Sequence, residues 1–547
     1  MRIIGYIFLF FLILIVIIGI SLHVFLKNNL IERLKEQVSE STNSEYALAI
    51  EGLTINYLNC NVEARNVTLT PFKKNLKPIK SEYTIAVGKI NLINYSILPY
   101  LKDRSILLDS ILLEGVQILI YQGFKHPDKK RDDGTKKSST VMPLTKKLST
   151  IAIGHIGSEN VKLFVYKNRT ASVPIFYSNN CNFTLEDLNL NFKTSKWFDS
   201  NKLELILNNF YYNVGDDGLY TFFGKKVTAN YNDSTLIVDS LQLIPNYNKK
   251  EFAKKAGRQA SRAEIITSQI NFSKVNYKLF CDSNKLQLHK VNIKGCAIDI
   301  YRDNTFALAP ILRPSFQCIV KNLPFRLSID SMEMKNAQIL FEVQNLGEAT
   351  TGTIAITKMN TVITQLQSDT VLCSDTHNIK VVVNGFIANK GKFNLNYSFP
   401  LKATKESFLC SGNLSSMPIT SFNTIIEQAK DISVKSGILD YASFSMMANE
   451  NSSKGTMQFK YHDLKIDFLN KRDKKRGLVV LFKSFIANSF IVEGSNPGKS
   501  GLVRTTRIYS KRNPYRYFLF YTAQSILSGV APAIVGEKNV KYFDKKK

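Results

Sequence analysis

One unit recurs along this chain and limits its fold more than any other feature: an apolar strand, a small turn residue, and a second apolar strand that often ends in an aromatic. It reads Ile111-Leu-Leu-Glu-Gly-Val-Gln-Ile-Leu-Ile-Tyr121 and returns as Val291-Asn-Ile-Lys-Gly-Cys-Ala-Ile-Asp-Ile-Tyr301. Longer versions run from Ile151 to Tyr166 and from Leu327 to Phe341. Shorter alternating stretches surround them, such as Leu53, Ile55 and Tyr57, or Ile90 and Leu92. Alternation with period two marks half-buried strands, and the Asn, Gly, Asp and Ser between them mark turns. The copies are irregularly spaced, which argues against a strict solenoid. A mainly β fold built on an elongated antiparallel sheet is expected. Few helices are available to cover it. The sheet must therefore fold on itself, pack on a second sheet, or leave an apolar trough.

The N-terminus reads differently. Ile3 to Leu22 run for 20 residues almost without a polar atom, about the length that crosses a hydrocarbon core. The run is longer than the apolar core of a cleaved signal peptide, and no clean Ala-x-Ala site follows. Residues 1–28 are thus expected to be an uncleaved transmembrane anchor with the body outside the cytoplasm. Residues 29–45 read as an amphipathic helical stalk with Leu30, Leu34 and Val38 on one face. The 72 Lys and Arg against 44 acids give a net charge of +28. Such an excess favours a polyanion, and beside a membrane anchor the anionic headgroups of a bilayer are the expected one.

Two basic segments interrupt the strands. Residues 125–147 lack apolar periodicity and read as a solvated loop; without interleaved aromatics, no nucleic-acid partner is expected. Residues 249–265 read as a basic helix, either lying on headgroups or packed by Phe252, Ala256 and Ala260. Near the C-terminus, Asn513-Pro514 is a helix start. Leu519, Ala523, Ile526, Leu527, Val530 and Ile534 follow on one stripe. Tyr515, Arg516, Tyr517, Phe518, Leu519, Phe520, Ile526 and Leu527 are candidate membrane-interface residues; the alternative is a helix that plugs the end of the sheet.

Signatures of catalysis are missing. The six histidines show no metal-ligand spacing, and no G-x-S-x-G elbow is present. Gly494-Ser-Asn-Pro-Gly-Lys-Ser500 falls one residue short of a P-loop and carries a proline where an amide donor is needed, so it reads as a turn. The seven cysteines form no CxxC pair, and those inside apolar strands read as small buried hydrophobes. No enzyme activity, metal or cofactor is expected.

The order of these features resembles the AsmA-like proteins of double-membraned bacteria, in the form found in the Bacteroides group. The residues carrying the likeness are Leu53 to Leu69, Leu241 to Tyr247, Glu251-Phe252, Arg262, Ile300 to Asp303, Leu323 to Asp330, Ile432 to Gly437, Gly455 to Ile466, Asn496-Pro497 and Arg512. The body is short for the larger lipid-bridge members, and residues 125–147 look like a private insertion. The resemblance implies a curved, taco-like β-groove related to chorein-type lipid-transfer proteins. It implies an inner-membrane anchor, a periplasmic body and a role in outer-membrane lipid homeostasis. On this reading residues 46–320 and 321–512 are the two β regions, and 513–547 hold an amphipathic helix and basic tail. Phospholipid or another amphipathic lipid is the expected ligand. Candidate groove residues are Ile118, Ile120, Leu163, Val165, Ile298, Ile300, Ile339 and Phe341; the opposite strand face, or an ordinary closed core, are the alternatives. The rival function is a non-catalytic envelope scaffold that binds envelope proteins by strand addition.

Overall fold

The computed structural model describes residues 28–56, 58–72, 81–96, 98–123, 149–191, 198–215, 217–345, 351–369, 377–402, 406–429, 432–468 and 492–535. The expected anchor (all but its last residue), the 125–147 loop and the tail after 535 lie outside them. The described chain is mainly β, with 22 strands belonging to one large mixed sheet. It forms two compact units. The first comprises the chain up to Val214 with Thr221–Ser240 and Lys274–Asn284; the second comprises Gly215–Tyr220, Leu241–Ser273 and the chain from Lys285. The boundary expected at 320/321 falls inside the second unit.

The first unit opens with helix α1, Asn28–Ser41. Leu34 and Val38, one turn apart, are 0% and 2% exposed and belong to the same core as the strands that follow. The expected stalk is therefore docked: its apolar stripe finds the sheet instead of solvent. Strands β1 (Tyr46–Asn56), β2 (Asn61–Pro71) and β3 (Glu82–Ser96) pair antiparallel in sequence. After a short helix α2 (Leu98–Asp103) come β4 (Ile106–Glu114) and β5 (Gln117–Tyr121). Both run antiparallel to β3 and parallel to β6 (Thr150–Tyr166). Next, β7 (Phe176–Asn191) pairs antiparallel with β6 and with β9 (Lys202–Val214), and also with the two-residue β8 (Phe198–Asp199). Strands β10 (Tyr220–Asn230) and β11 (Thr235–Pro245) carry residues of both units.

The second unit repeats part of this plan. Helix α3 (Lys249–Ala256) leads into β12 (Ser261–Ser273). Helix α4 (Tyr277–Ser283), assigned to the first unit, is followed by β13 (Lys285–Lys294) and β14 (Ala297–Asp303). Both strands are antiparallel to β12 and parallel to β15 (Arg326–Gln344), which follows the short helix α5 (Phe316–Lys321) and pairs antiparallel with β16 (Gly352–Gln367). The two copies agree in detail. The broken strand is interrupted at Gly115 in one and Gly295 in the other, with φ of 65° and 60°, a conformation glycine adopts without strain. The long strand bulges at Asn160 and Asn336, with φ of 55° and 54°. Each bulge presents its backbone N–H to an asparagine on the next strand, Asn182 at 3.1 Å and Asn360 at 3.0 Å.

The four recurrent runs in the sequence are thus two copies of a two-part unit, a broken strand and a long bulged strand. The glycines interrupt one strand line and do not reverse the chain, so the sheet is mixed where an antiparallel one is expected. Antiparallel strands continue from there: β17 (Asn378–Ile387), β18 (Gly391–Pro400), β19 (Ser407–Pro418), β20 (Ile432–Asn449), β21 (Ser452–Phe468) and β22 (Thr505–Lys511). The basic helix expected at 249–265 stops at Ala256. Gly257 takes a left-handed cap with φ 66°, and Arg262 already lies in β12.

An apolar sheet face that is only half covered

Directly paired residues of neighbouring strands share a face, so the register of the second unit traces its inner surface. One row runs Phe272, Val291, Met332, Ile363, Val381, Tyr397, Cys410 and Met446. The row beside it runs Ile270, Ile293, Met334, Thr361, Val383, Leu395, Gly412, Phe444 and Met457. A third is an isoleucine ladder across five strands: Ile265, Ile298, Ile339, Ile356 and Ile387. The alternate row is polar over much of its length, with Asn292, Glu333, Asn396, Ser411, Ser445 and Thr456. One face of this sheet is apolar over many strands, and the other is built for water.

The cover on that face changes along the sheet. At β18–β22 it is fuller, although Leu395 and Phe444 stay half-exposed. The C-terminal helix α7 (Phe518–Val535) packs on β21 and β22. Phe518 joins a ring cluster with Phe316, Tyr397 and Phe399, at centroid distances of 6.1, 6.3 and 6.0 Å. Beneath it Tyr397, Cys410 and Met446 are buried, and burial pushes the Cys410 thiol up to about 12. Such a thiol behaves as an inert hydrophobe.

From β12 to β17 the face is half open. Cys296, Ala337 and Met359 are buried there, while Ile265, Ile293, Ile298, Met334, Ile339, Ile356 and Val383 pack against them only partly covered. The sheet curls at this place: helix α6 (Asn423–Ala429) touches both β16 and β20, with three strands between them in the hydrogen-bonding order.

The eight candidate groove residues divide between the two copies. Ile118 and Ile120 are 8% and 4% exposed inside the first unit's core, with Leu163 and Val165 packed against that core. Leu34 and Val38 of α1 belong to the same cluster, and Leu163 and Val165 are half-exposed. Ile298, Ile300, Ile339 and Phe341 occupy the equivalent places in the second unit and remain half-exposed.

The membrane-interface candidates divide too. Helix α7 docks through small or hydroxyl-bearing residues, among them Thr522, Ser525, Gly529 and Ala533. Ser525 and Ser453 share a buried hydrogen bond of 2.7 Å. Leu519 and Leu527 point outward, 60% and 40% exposed, as do Tyr515 and Tyr517; Ile526 is half-buried. Phe518 turns inward, and Arg516 lies 5.0 Å from the centre of the Phe520 ring. By length and composition α7 is the one helix among the described residues able to cross a membrane, though much of it is buried here.

Three of the four described histidines pair with single carboxylates, His155 with Glu186, His289 with Asp330 and His462 with Asp440, and His377 meets the Gln365 carbonyl at 3.0 Å. Among the described residues no three His, Cys, Asp or Glu side chains gather as metal ligands would. No family model matches the chain, and no curated protein matches it.

Proposed function

We propose that the chain is a membrane-tethered, AsmA-like envelope protein that holds a phospholipid acyl chain against the half-covered face of β12–β17. The observation that carries this reading is the isoleucine ladder with the rows beside it, an apolar surface continuous over five strand lines and left partly exposed. Contiguous apolar surface of this kind marks a binding site. Five strand lines at about 4.8 Å spacing span roughly 19 Å, more than one leaflet of a hydrocarbon core about 30 Å thick. Each methylene placed there contributes about 0.8 kcal/mol. The 20-residue apolar run at Ile3–Leu22 supplies the tether, and the outward Leu519, Ala523 and Leu527 supply a second surface suited to a bilayer. Inner-membrane anchorage with a periplasmic body follows from the same reading, with support of outer-membrane lipid homeostasis as its role.

The test is photocrosslinking in the full-length protein. A photoreactive side chain at position 298 or 339 should capture lipid in cells, while one at Val362 or Val382, on the opposite face, should not. Equal capture at both faces, or none at either, defeats the reading and leaves the tethered scaffold.

A further inference from the structure

We propose that Arg302 and Arg516, with Arg313 beside them, form a binding site for a phosphate group at the end of the apolar face. The inference rests on the lipid reading above and names the chemistry of the headgroup.

Arg302 stands two residues beyond Ile300 and four beyond Ile298 on β14. The register with β12 and β15 runs through all three without a shift, so the guanidinium continues the face that the isoleucines line. Its Nε and Nη2 donate to Ser261 Oγ at 3.2 and 3.0 Å, and its guanidinium carbon lies 5.7 Å from the Phe341 ring centre. Arg516 comes from the segment that leads into α7. That segment is stitched to the one carrying Arg313: the Arg313 N–H donates to the Pro514 carbonyl at 2.7 Å, and Arg512 Nη2 donates to the Arg313 carbonyl at 2.8 Å. The Arg313 guanidinium sits 4.6 Å from the Tyr517 ring centre.

Arg516 lies within electrostatic reach of Arg302, Arg313 is tied to the segment that carries Arg516, and none of the three forms an ion pair among the described residues. Four neighbouring carboxylates have partners of their own. Asp303 accepts from Thr305, Glu342 pairs with Lys249, Glu264 with Arg262 and Glu406 with Arg512. Burial, and then the charge of Arg516, pushes Arg302 down to about 10; burial also lowers Arg516. Like charges gathered away from water are costly unless an anion joins them. Planar guanidinium forks fit phosphate oxygens in pairs. The first unit provides the contrast. Gln122 takes the place of Arg302 there; Arg169 stacks on Tyr121, on the other face by strand alternation, and pairs with Glu82 at 2.9 Å. The half-open copy thus places a cation where the other copy has a neutral residue.

The experiment uses full-length protein in detergent and measures retention of phosphatidylglycerol, of diacylglycerol and of inorganic phosphate. Wild type is compared with Arg302→Gln/Arg516→Gln and with Arg516→Gln alone, which alters only the connecting segment and keeps the test valid should the double variant misfold. Loss of phosphatidylglycerol by tenfold or more in the double variant, and by a smaller factor in the single, with diacylglycerol unchanged, supports the site. Parallel loss of both lipids, or no loss of either, overturns it. Should wild type retain neither lipid yet bind phosphate through these arginines, the lipid reading fails while the anion site stands, with free phosphate as the source.

Discussion

Ile118 and Ile298 hold the same position in the two copies of the broken-strand unit, and only Ile118 is sealed from solvent. Their local pairing is the same: each lies antiparallel to an isoleucine on one side, Ile85 or Ile265, and parallel to an aliphatic residue on the other, Leu163 or Ile339. What differs is the surroundings, and mutation should expose the difference. Ile118→Ala should cost about 2–5 kcal/mol, as for a buried aliphatic residue. Ile298→Ala should cost about 1 kcal/mol, because less area leaves water on folding, and should weaken lipid retention instead. Denaturant titration of both variants checks the order.

The break in the strand should tolerate substitution poorly. A Cβ at Gly295 would run into the Ser268 side chain as well as take a positive φ. Gly295→Ala should therefore destabilise by about 1–3 kcal/mol. Gly115→Ala, where the nearest backbone atoms lie at 3.5 Å, should cost about 1 kcal/mol. Thermal melts of the two variants separate strain alone from strain with collision.

Helix α7 lies close to the sheet because its docked face is small. A Cβ on Gly529 would come within 2.9 Å of the Met457 sulfur and 3.0 Å of Ile508. Gly529→Leu should overpack this contact by about 1–3 kcal/mol and loosen the helix. Limited proteolysis should then cut within 518–535 faster than in wild type, and liposome flotation should show stronger membrane association.

Glu406 and Arg512 meet at 3.0 Å, with the arginine side chain 8% exposed. Burial pushes the Glu406 carboxyl up, but hydrogen bonds from Cys318, Arg512 and Ser315 outweigh it and hold the carboxyl below its ordinary value. With the folded value below the unfolded one, the pair stabilises fully above the usual glutamate range near about 4.3. That contribution disappears as pH falls through the lower folded value. Glu406→Gln should cost about 2 kcal/mol at pH 7 by stranding Arg512, and the gap from wild type should narrow below about pH 4. Urea unfolding at the two pH values tests this.

The strands were legible because their alternation is local. The duplication also showed in the residues themselves: Ile-x-Ile-Tyr closes the broken strand in both copies, at Ile118–Tyr121 and Ile298–Tyr301. Direction was not legible, since nothing in the string tells whether β4 runs with or against β6; that depends on the connection between them. Nor was it legible that Ile118 is buried and Ile298 half-exposed, because burial depends on packing by elements far away in the sequence. The stripe read on the C-terminal helix, from Leu519 to Ile534, is largely its outward side, and the helix docks through residues too small to register as an apolar face. Arg302 escaped notice as a site residue although it has the same parity as Ile298 and Ile300, a charge on a greasy strand face and the one local signal available.

Helix α7 occupies the same surface that lies half bare farther along, and this has a consequence for traffic. A hydrocarbon tail sliding from β12–β17 along this face would run into the protein's own C-terminal segment at β21 and β22. On the proposed reading the site is a cul-de-sac, so cargo backs out through the door it entered, and delivery calls for a ferry making round trips, not a pipeline.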